Sequence, residues 1–263
     1  MGAIIDNEKC IGCGRCVEDC LFDSLKLADG KARLDGRCIS CGHCVALCQE
    51  GAAALPEYDM GDIEEFSEGS FRLEPLTLLR AIKYRRSIRQ FTGQKIERNK
   101  LEAIIQAGRY TATGLNAQGC KFIVVQDDLP ALKEMIWHDV ERDLAAYKDL
   151  GPEFFSAMRG FIDLRKTKGI DFLFRNAPAA LFIAAEKPID AGLAAQNMEL
   201  MAVAQDLGAL FNGFLARLAS KNEKALGWLK TEGKPLATSM LFGYPNVRYQ
   251  RTAPRKPANV DWR

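Results

Sequence analysis

Eight of the nine cysteines fall before residue 49, and their spacing is that of metal ligation rather than of disulfide stapling. Cys10, Cys13, Cys16 and Cys20 follow C-x2-C-x2-C-x3-C, and Cys38, Cys41, Cys44 and Cys48 repeat it. A cubane iron–sulfur cluster needs four thiolates converging on four irons, and two-residue spacers let one tight loop turn three sulfurs toward one point. Gly12, Gly14 and Gly42 suit that loop, because they accept backbone angles that other residues resist and let amide N–H groups approach the sulfides. In duplicated runs of this kind the fourth cysteine serves the other cluster. Cys10, Cys13, Cys16 and Cys48 are therefore expected to hold one 4Fe-4S cluster, and Cys20, Cys38, Cys41 and Cys44 the second. The competing reading is a pair of four-cysteine zinc sites. Zinc sites usually carry two widely separated pairs, whereas three cysteines here crowd into seven residues, twice. His43, inside the second run, is expected to be an exposed loop residue, since the cysteines already complete both sites.

The two runs form an internal repeat in which Ile11 is echoed by Ile39 and Val17 by Val45. From Asn7 to Ala54 the chain resembles the bacterial two-cluster ferredoxins. It departs from their pattern after each fourth cysteine, where Leu21 and Gln49 stand in place of proline. That change loosens a turn and leaves every ligand in place.

Composition bounds the rest. A chain of 263 residues with 48% apolar and 27% charged residues has room for one domain and a satellite, and the makeup of an ordinary folded protein. A formal charge of +2 lacks the broad basic field that nucleic acid demands. The longest apolar runs, such as Ala177 to Ala185, are far too short to span a bilayer, so no membrane partner is expected. Met1 to Lys9 carry three charges instead of an apolar signal core. With the concentration of thiols, this leads to the expectation of a cytoplasmic protein.

Past Gly51 the character of the chain changes. Glu57 to Glu68 contain acidic residues and no basic ones, which reads as an exposed linker over 57–73 between a domain at 1–56 and another at 74–263. Pro75 suits a first helical turn, and Leu78, Leu79 and Ile82 recur at helical spacing up to Tyr84. Arg85-Arg86-Ser87-Ile88-Arg89 follows at once. Guanidiniums beside a hydroxyl at a helix end are good phosphate chemistry, although such a cluster taken alone is more often a solvated face. A helix is expected from Glu97 to Gly108, with Leu101, Ile104 and Ile105 on its buried side. A polar, glycine-bearing loop, Arg109 to Gly119, then leads into a strand-like run at Phe122 to Val125. Further on, Ala180 to Ala184 reads as a strand, Asp190 is expected to cap a long helix reaching Gly208, and Leu236 to Phe242 reads as a strand.

An R-R-S-x-R element, a helix, and a loop of S/T-x-x-N-x-Q type before a strand are similar to the FMN-dependent nitroreductase family, and the resemblance runs from about Glu74 to the end. It implies an α+β, nitroreductase-like fold, an FMN-binding mixed sheet flanked by helices, joined to a small ferredoxin-like domain. It also implies a homodimer, with the helix after Asp190 at its core. Position by position, it implies that Arg85, Ser87 and Arg255 hold the FMN phosphate, with Arg86 sharing the task. Arg89 would approach the pyrimidine edge of the flavin, where a positive charge stabilises the reduced anion. Asn116 would bond the polar edge of the ring, with Thr113 and Gln118 in the same loop, and Asn212 and Gly213 would meet the other side. The family's proline and tryptophan at the loop end are here Gly119 and Cys120, the latter read as a packed substitute. The aromatics of the 131–175 insertion, among them Trp137 and Phe154, are placed as the family places its substrate-covering helices and read more readily as core.

The pairing of centres implies an oxidoreductase. An external donor, ferredoxin-type or NAD(P)H, is expected to supply electrons through the clusters to FMN, for reduction of a small organic molecule such as a nitro, quinone or activated alkene compound. The alternative is a non-catalytic electron relay or redox sensor built from the same cofactors.

Overall fold

The computed structural model describes residues 2–67, 69 and 72–263; Met1, Glu68, Ser70 and Phe71, three of them within the expected linker, lie outside the described residues. The chain divides into two compact units, Met1–Arg72 with Thr113–Ala117, and Leu73–Ala112 with Gln118–Arg263.

In the first unit, β1 (Ile4–Ile5) pairs antiparallel with β4 (Ala53–Ala54). A hairpin joins β2 (Leu25–Ala28) to β3 (Lys31–Leu34). Its two turn residues, Asp29 and Gly30, both take positive φ, 51° and 70°, as the tightest hairpins require. Two short helices, α1 (Arg15–Glu18) and α2 (His43–Leu47), each start after a left-handed glycine, Gly14 and Gly42. Ala3, Leu25, Ala53 and Leu55 make a small core against the cysteines.

The second unit is built on one sheet, ordered β5 (Lys121–Val125), β6 (Ala179–Ala184), β8 (Leu236–Gly243), β7 (Gly208–Phe211), with every pair antiparallel. A parallel bridge from Ser87 to Ala209 at the β7 edge makes it mixed. All six residues of β6 are buried, because both sheet faces are covered and no polar side is needed. Alternation divides its side chains between two cores. Ala180 and Phe182 join α5 (Leu129–Arg142), α6 (Pro152–Lys168), α8 (Gly213–Lys221) and α9 (Glu223–Leu229). Leu181 and Ile183 join α4 (Arg98–Arg109) and α7 (Pro188–Ala204) on the other face. Trp137 and Phe154 are core residues, as expected.

Two expectations need correction. Asp190 does not cap α7: the helix begins at Pro188, whose missing N–H costs nothing in the first turn, and Asp190 lies buried inside it. Nor does it run to Gly208. It ends at Ala204 in a Schellman-type cap, where Leu207 N–H reaches the Ala202 carbonyl at 2.9 Å around a left-handed Asp206. Gly208 instead opens β7, a strand that periodicity did not announce, and a Cβ there would sit 2.5 Å from Ile88 Cγ1. The Pro75–Tyr84 helix, α3, forms as expected yet buries none of its residues: Leu76, Leu79 and Ile82 are 57%, 49% and 43% exposed.

Candidate functional site

The repeated loops of the first unit turn their cysteines inward around two cavities. One is lined by Cys10, Cys13, Cys16 and Cys48, so the last cysteine of the second run joins the first three of the first. The other is lined by Cys20, Cys38, Cys41 and Cys44, and also by Cys16, which the two cavities share. All nine cysteines are free thiols. Backbone amides converge on the sulfurs: Ala32 N–H reaches Cys10 Sγ at 3.4 Å and Ala52 N–H reaches Cys48 Sγ at 3.1 Å. At the second cavity, Ser24 N–H reaches Cys20 Sγ at 3.3 Å and Ser40 N–H reaches Cys38 Sγ at 3.4 Å. The amide bonds from Ala32 and Gly12 hold the Cys10 thiol below its ordinary pKa, whereas burial pushes Cys44 up to about 11. Among the described residues, no three His, Cys, Asp or Glu side chains converge where a single metal ion could sit. Zinc draws its sulfurs to ~2.3 Å from one point. Four cysteines ringing each cavity and accepting N–H bonds fit the four-thiolate ligation of a cubane. His43 is exposed, as expected, but it opens α2 rather than lying in a loop, and pairs with Asp19 at 2.7 Å.

In the second unit, α3 delivers Arg85 at its C-terminal end, and the chain then runs extended beside β7, with Ile88 N–H bonded to the Ala209 carbonyl at 2.9 Å. Arg85 Nη1 lies 3.2 Å from Glu199, a carboxylate buried on α7. Arg86 sits over the Tyr249 ring at 5.5 Å. Near Arg89 is a residue that sequence reasoning passed over. Arg175, left-handed at φ 57°, lies 3.3 Å from the Phe172 ring centroid, and its pKa is lowered by burial and by the Arg89 charge. The available signal was its place directly before Asn176-Ala177-Pro178, at the entry to the strand read at Ala180 to Ala184.

The remaining candidates are scattered. In the loop before β5, Leu115, Asn116 and Gln118 all take positive φ, 56°, 52° and 46°. Such a run of non-glycine residues signals a conformation held by its surroundings. Thr113 and Asn116 group with the first unit and Gln118 with the second. Asn212 is buried, caps α8 by accepting from Leu215 N–H at 3.1 Å, and donates to the Leu173 carbonyl at 2.7 Å. Gly213, the next residue, faces open space. Arg255 lies on the exposed C-terminal segment and donates to the Pro254 carbonyl at 3.3 Å, a bond that does not gather it with Arg85. Cys120 packs half-buried against the α4–α7 core.

A four-stranded antiparallel sheet covered by helices on both faces, bridged at its β7 edge by Ser87, defines a fold class that known proteins share. Residues 82–244, well over half the chain, match the nitroreductase family, and the chain belongs to that family. Residues 2–49 match the 4Fe-4S dicluster domain. Among solved structures it is similar to a nitroreductase with bound FMN from Bacteroides fragilis NCTC 9343 (20% identity over 70% of this chain and 97% of the other, TM-score 0.58). A nitroreductase with bound FMN from Desulfitobacterium hafniense DCB-2 is also similar (22% identity, 70% and 97%, TM-score 0.54). So is an FMN-dependent nitroreductase from Mycobacterium smegmatis in complex with NADPH (20% identity, 68% and 95%, TM-score 0.51). At these identities the likeness shows the fold. No curated protein matches the chain. Among the described residues, no helix is long and apolar enough to cross a membrane.

Proposed function

We propose that this chain is a flavin oxidoreductase of the nitroreductase type that takes electrons from an external donor, through two 4Fe-4S clusters, to FMN, and reduces a small organic molecule. The observation that carries the reading is the pair of four-cysteine cavities in a chain whose larger unit has the nitroreductase fold. When bound, FMN accepts electrons singly or in pairs and delivers hydride, while clusters pass one electron at a time, so together they convert single electrons into a two-electron reduction.

The chain's own residues bind and orient. Cys10, Cys13, Cys16 and Cys48 hold one cluster, and Cys20, Cys38, Cys41 and Cys44 the other. Arg85, Ser87 and Arg255 are assigned to the flavin phosphate with Arg86 beside them, and Arg89 to the pyrimidine edge. Thr113, Asn116, Gln118, Asn212 and Gly213 are the remaining assignments around the ring. The buried Glu199 carboxylate fixes the Arg85 guanidinium, whose other N–H donors can serve an anion. Nitro, quinone and activated alkene compounds are the substrate classes, and ferredoxin or NAD(P)H the donors. The domains are taken as 1–56, a linker 57–73, and 74–263, in a cytoplasmic homodimer. The exposed apolar residues of α3 support the dimer, because a surface rich in leucine and isoleucine wants a partner.

The test is anaerobic turnover of a nitroaromatic, a quinone and an enone with reduced ferredoxin and, separately, NADPH. Reduction of at least one class, abolished with the ferredoxin donor by Cys38→Ser, supports the reading. Flavin-containing protein that reduces none of them with either donor favours the relay.

A further inference from the structure

The two cysteine runs are repeats in spacing but not in backbone ease. Between the first two cysteines stand Ile11-Gly12 in one run and Ile39-Ser40 in the other. Gly12 and Ser40 both take left-handed φ, 71° and 50°. Glycine adopts that conformation freely, and at Gly12 a Cβ would also strike the Gly30 carbonyl oxygen at 2.0 Å. Serine has a Cβ and is strained there, so something must hold it.

Contacts on two sides hold Ser40. Its hydroxyl bonds the Glu57 carboxylate. Its carbonyl accepts from Asn116 Nδ2 at 2.7 Å, and the same amide lies 3.4 Å from the Ile39 carbonyl and 3.4 Å from Tyr58 Oη. So fixed, Ser40 points its N–H at Cys38 Sγ, 3.4 Å away. Asn116 comes from Thr113–Ala117, which groups with the first unit although it lies some forty residues past the end of that unit's main stretch at Arg72. Its own delivery is strained, with Leu115 at φ 56° and Asn116 at φ 52°. Leucine gains nothing local from that conformation, so the strain is balanced by what the loop tip grips.

We propose that Asn116 is a positioning residue of the second cluster site: it clamps the Cys38–Cys41 loop through the Ser40 carbonyl and keeps the Ser40 N–H on the Cys38 sulfur. The proposal rests on the cluster reading above, and it gives Asn116 a role at the cluster loop in addition to its assignment at the flavin ring. Hydrogen bonds to ligand sulfurs favour the more negative, reduced cluster, so releasing Ser40 lowers the potential of the second cluster and leaves the first alone.

The experiment is an anaerobic redox titration of the full chain, followed by electron paramagnetic resonance, for wild type, Asn116→Ala, Ser40→Gly and the double variant. The second cluster is recognised as the signal that Cys41→Ser alters. Losing one hydrogen bond is expected to shift its oxidised-to-reduced ratio at fixed potential roughly fivefold, about 40 mV for a one-electron couple. In the Ser40→Gly background the same Asn116→Ala change should shift it little, because glycine holds the turn unaided. If Asn116→Ala alone fails to retain the second cluster, the double variant should regain it. Unchanged cluster potentials with lost FMN would overturn the proposal and leave Asn116 with the flavin alone. So would an equal shift in both backgrounds. Wild-type protein devoid of iron and sulfide would sink the cluster reading itself, and this proposal with it.

Discussion

Replacing Arg85 by alanine should do two separable things, and the structure says how to tell them apart. Glu199 is 1% exposed, and among the described residues it accepts from Arg85 Nη1 and Gln196 Nε2, each at 3.2 Å. Removing the guanidinium strands a buried carboxylate, which costs about 3–5 kcal/mol when nothing replaces the partner. Arg85 keeps 26% of its side chain exposed, so water can enter the vacated space, and the low end, about 3 kcal/mol, is expected. For a unit of this size that is a drop of about 6–12 °C in melting temperature. Glu199→Gln removes the charge but keeps an acceptor, and should cost about 1 kcal/mol. In Arg85→Ala/Glu199→Gln no charge is stranded, so the double variant should melt above the Arg85→Ala single, a coupling that a double-mutant cycle reads directly. FMN affinity should sort differently: weakened in both proteins lacking Arg85, nearly retained in Glu199→Gln. Calorimetry of flavin-free protein gives the first quantity and fluorescence titration with FMN the second. An Arg85→Ala protein melting within about 2 °C of wild type, or a double variant no better than that single, would refute the reasoning.

Further outcomes follow from other contacts. Gly12→Ala places a Cβ 2.0 Å from a backbone oxygen at φ 71°, and should halve the iron content by costing the first cluster while the second persists. The Tyr147 hydroxyl donates to Asp139 at 2.5 Å, and burial followed by that bond raises its pKa above the ordinary 10.0. Because the folded value is the raised one, this stabilisation is full below about pH 10 and fades as pH climbs toward the folded value. Tyr147→Phe should therefore cost about 1 kcal/mol at pH 8 and flatten the alkaline fall in melting temperature; an equally steep fall in the variant would contradict this. Leu79→Glu with Ile82→Glu on α3 should turn a dimer into a monomer by light scattering without lowering cluster content.

The cysteine-lined cavities were legible because spacing is a local property: four thiols at fixed offsets, repeated, leave few geometries open, and the lining of the two cavities follows from the same spacing. Strands with both faces buried, such as Ala179–Ala184, announced themselves as short apolar runs. β7 did not, because Gly208-Ala209-Leu210-Phe211 follows a helix whose stop signal is Asp206 in a left-handed turn rather than the glycine usually sought there. The surroundings of the residues assigned to the flavin were less legible. Asn212 spends its amide on a helix cap and a carbonyl, and Arg255 donates to its neighbour Pro254 on the exposed C-terminal segment. Such choices depend on partners far along the chain. No local pattern encodes that Asn116 meets Ser40, 76 residues away.

The central claim is that one polypeptide carries two thiolate-bound cubanes and a flavin. Protein isolated without oxygen and assayed for iron, acid-labile sulfide and FMN tests it most directly. Eight irons, eight sulfides and one FMN per chain are expected, counting four of each inorganic atom per cluster and one flavin per family fold. Zinc in place of iron, or protein that remains colourless after reconstitution with iron, sulfide and FMN, would contradict it.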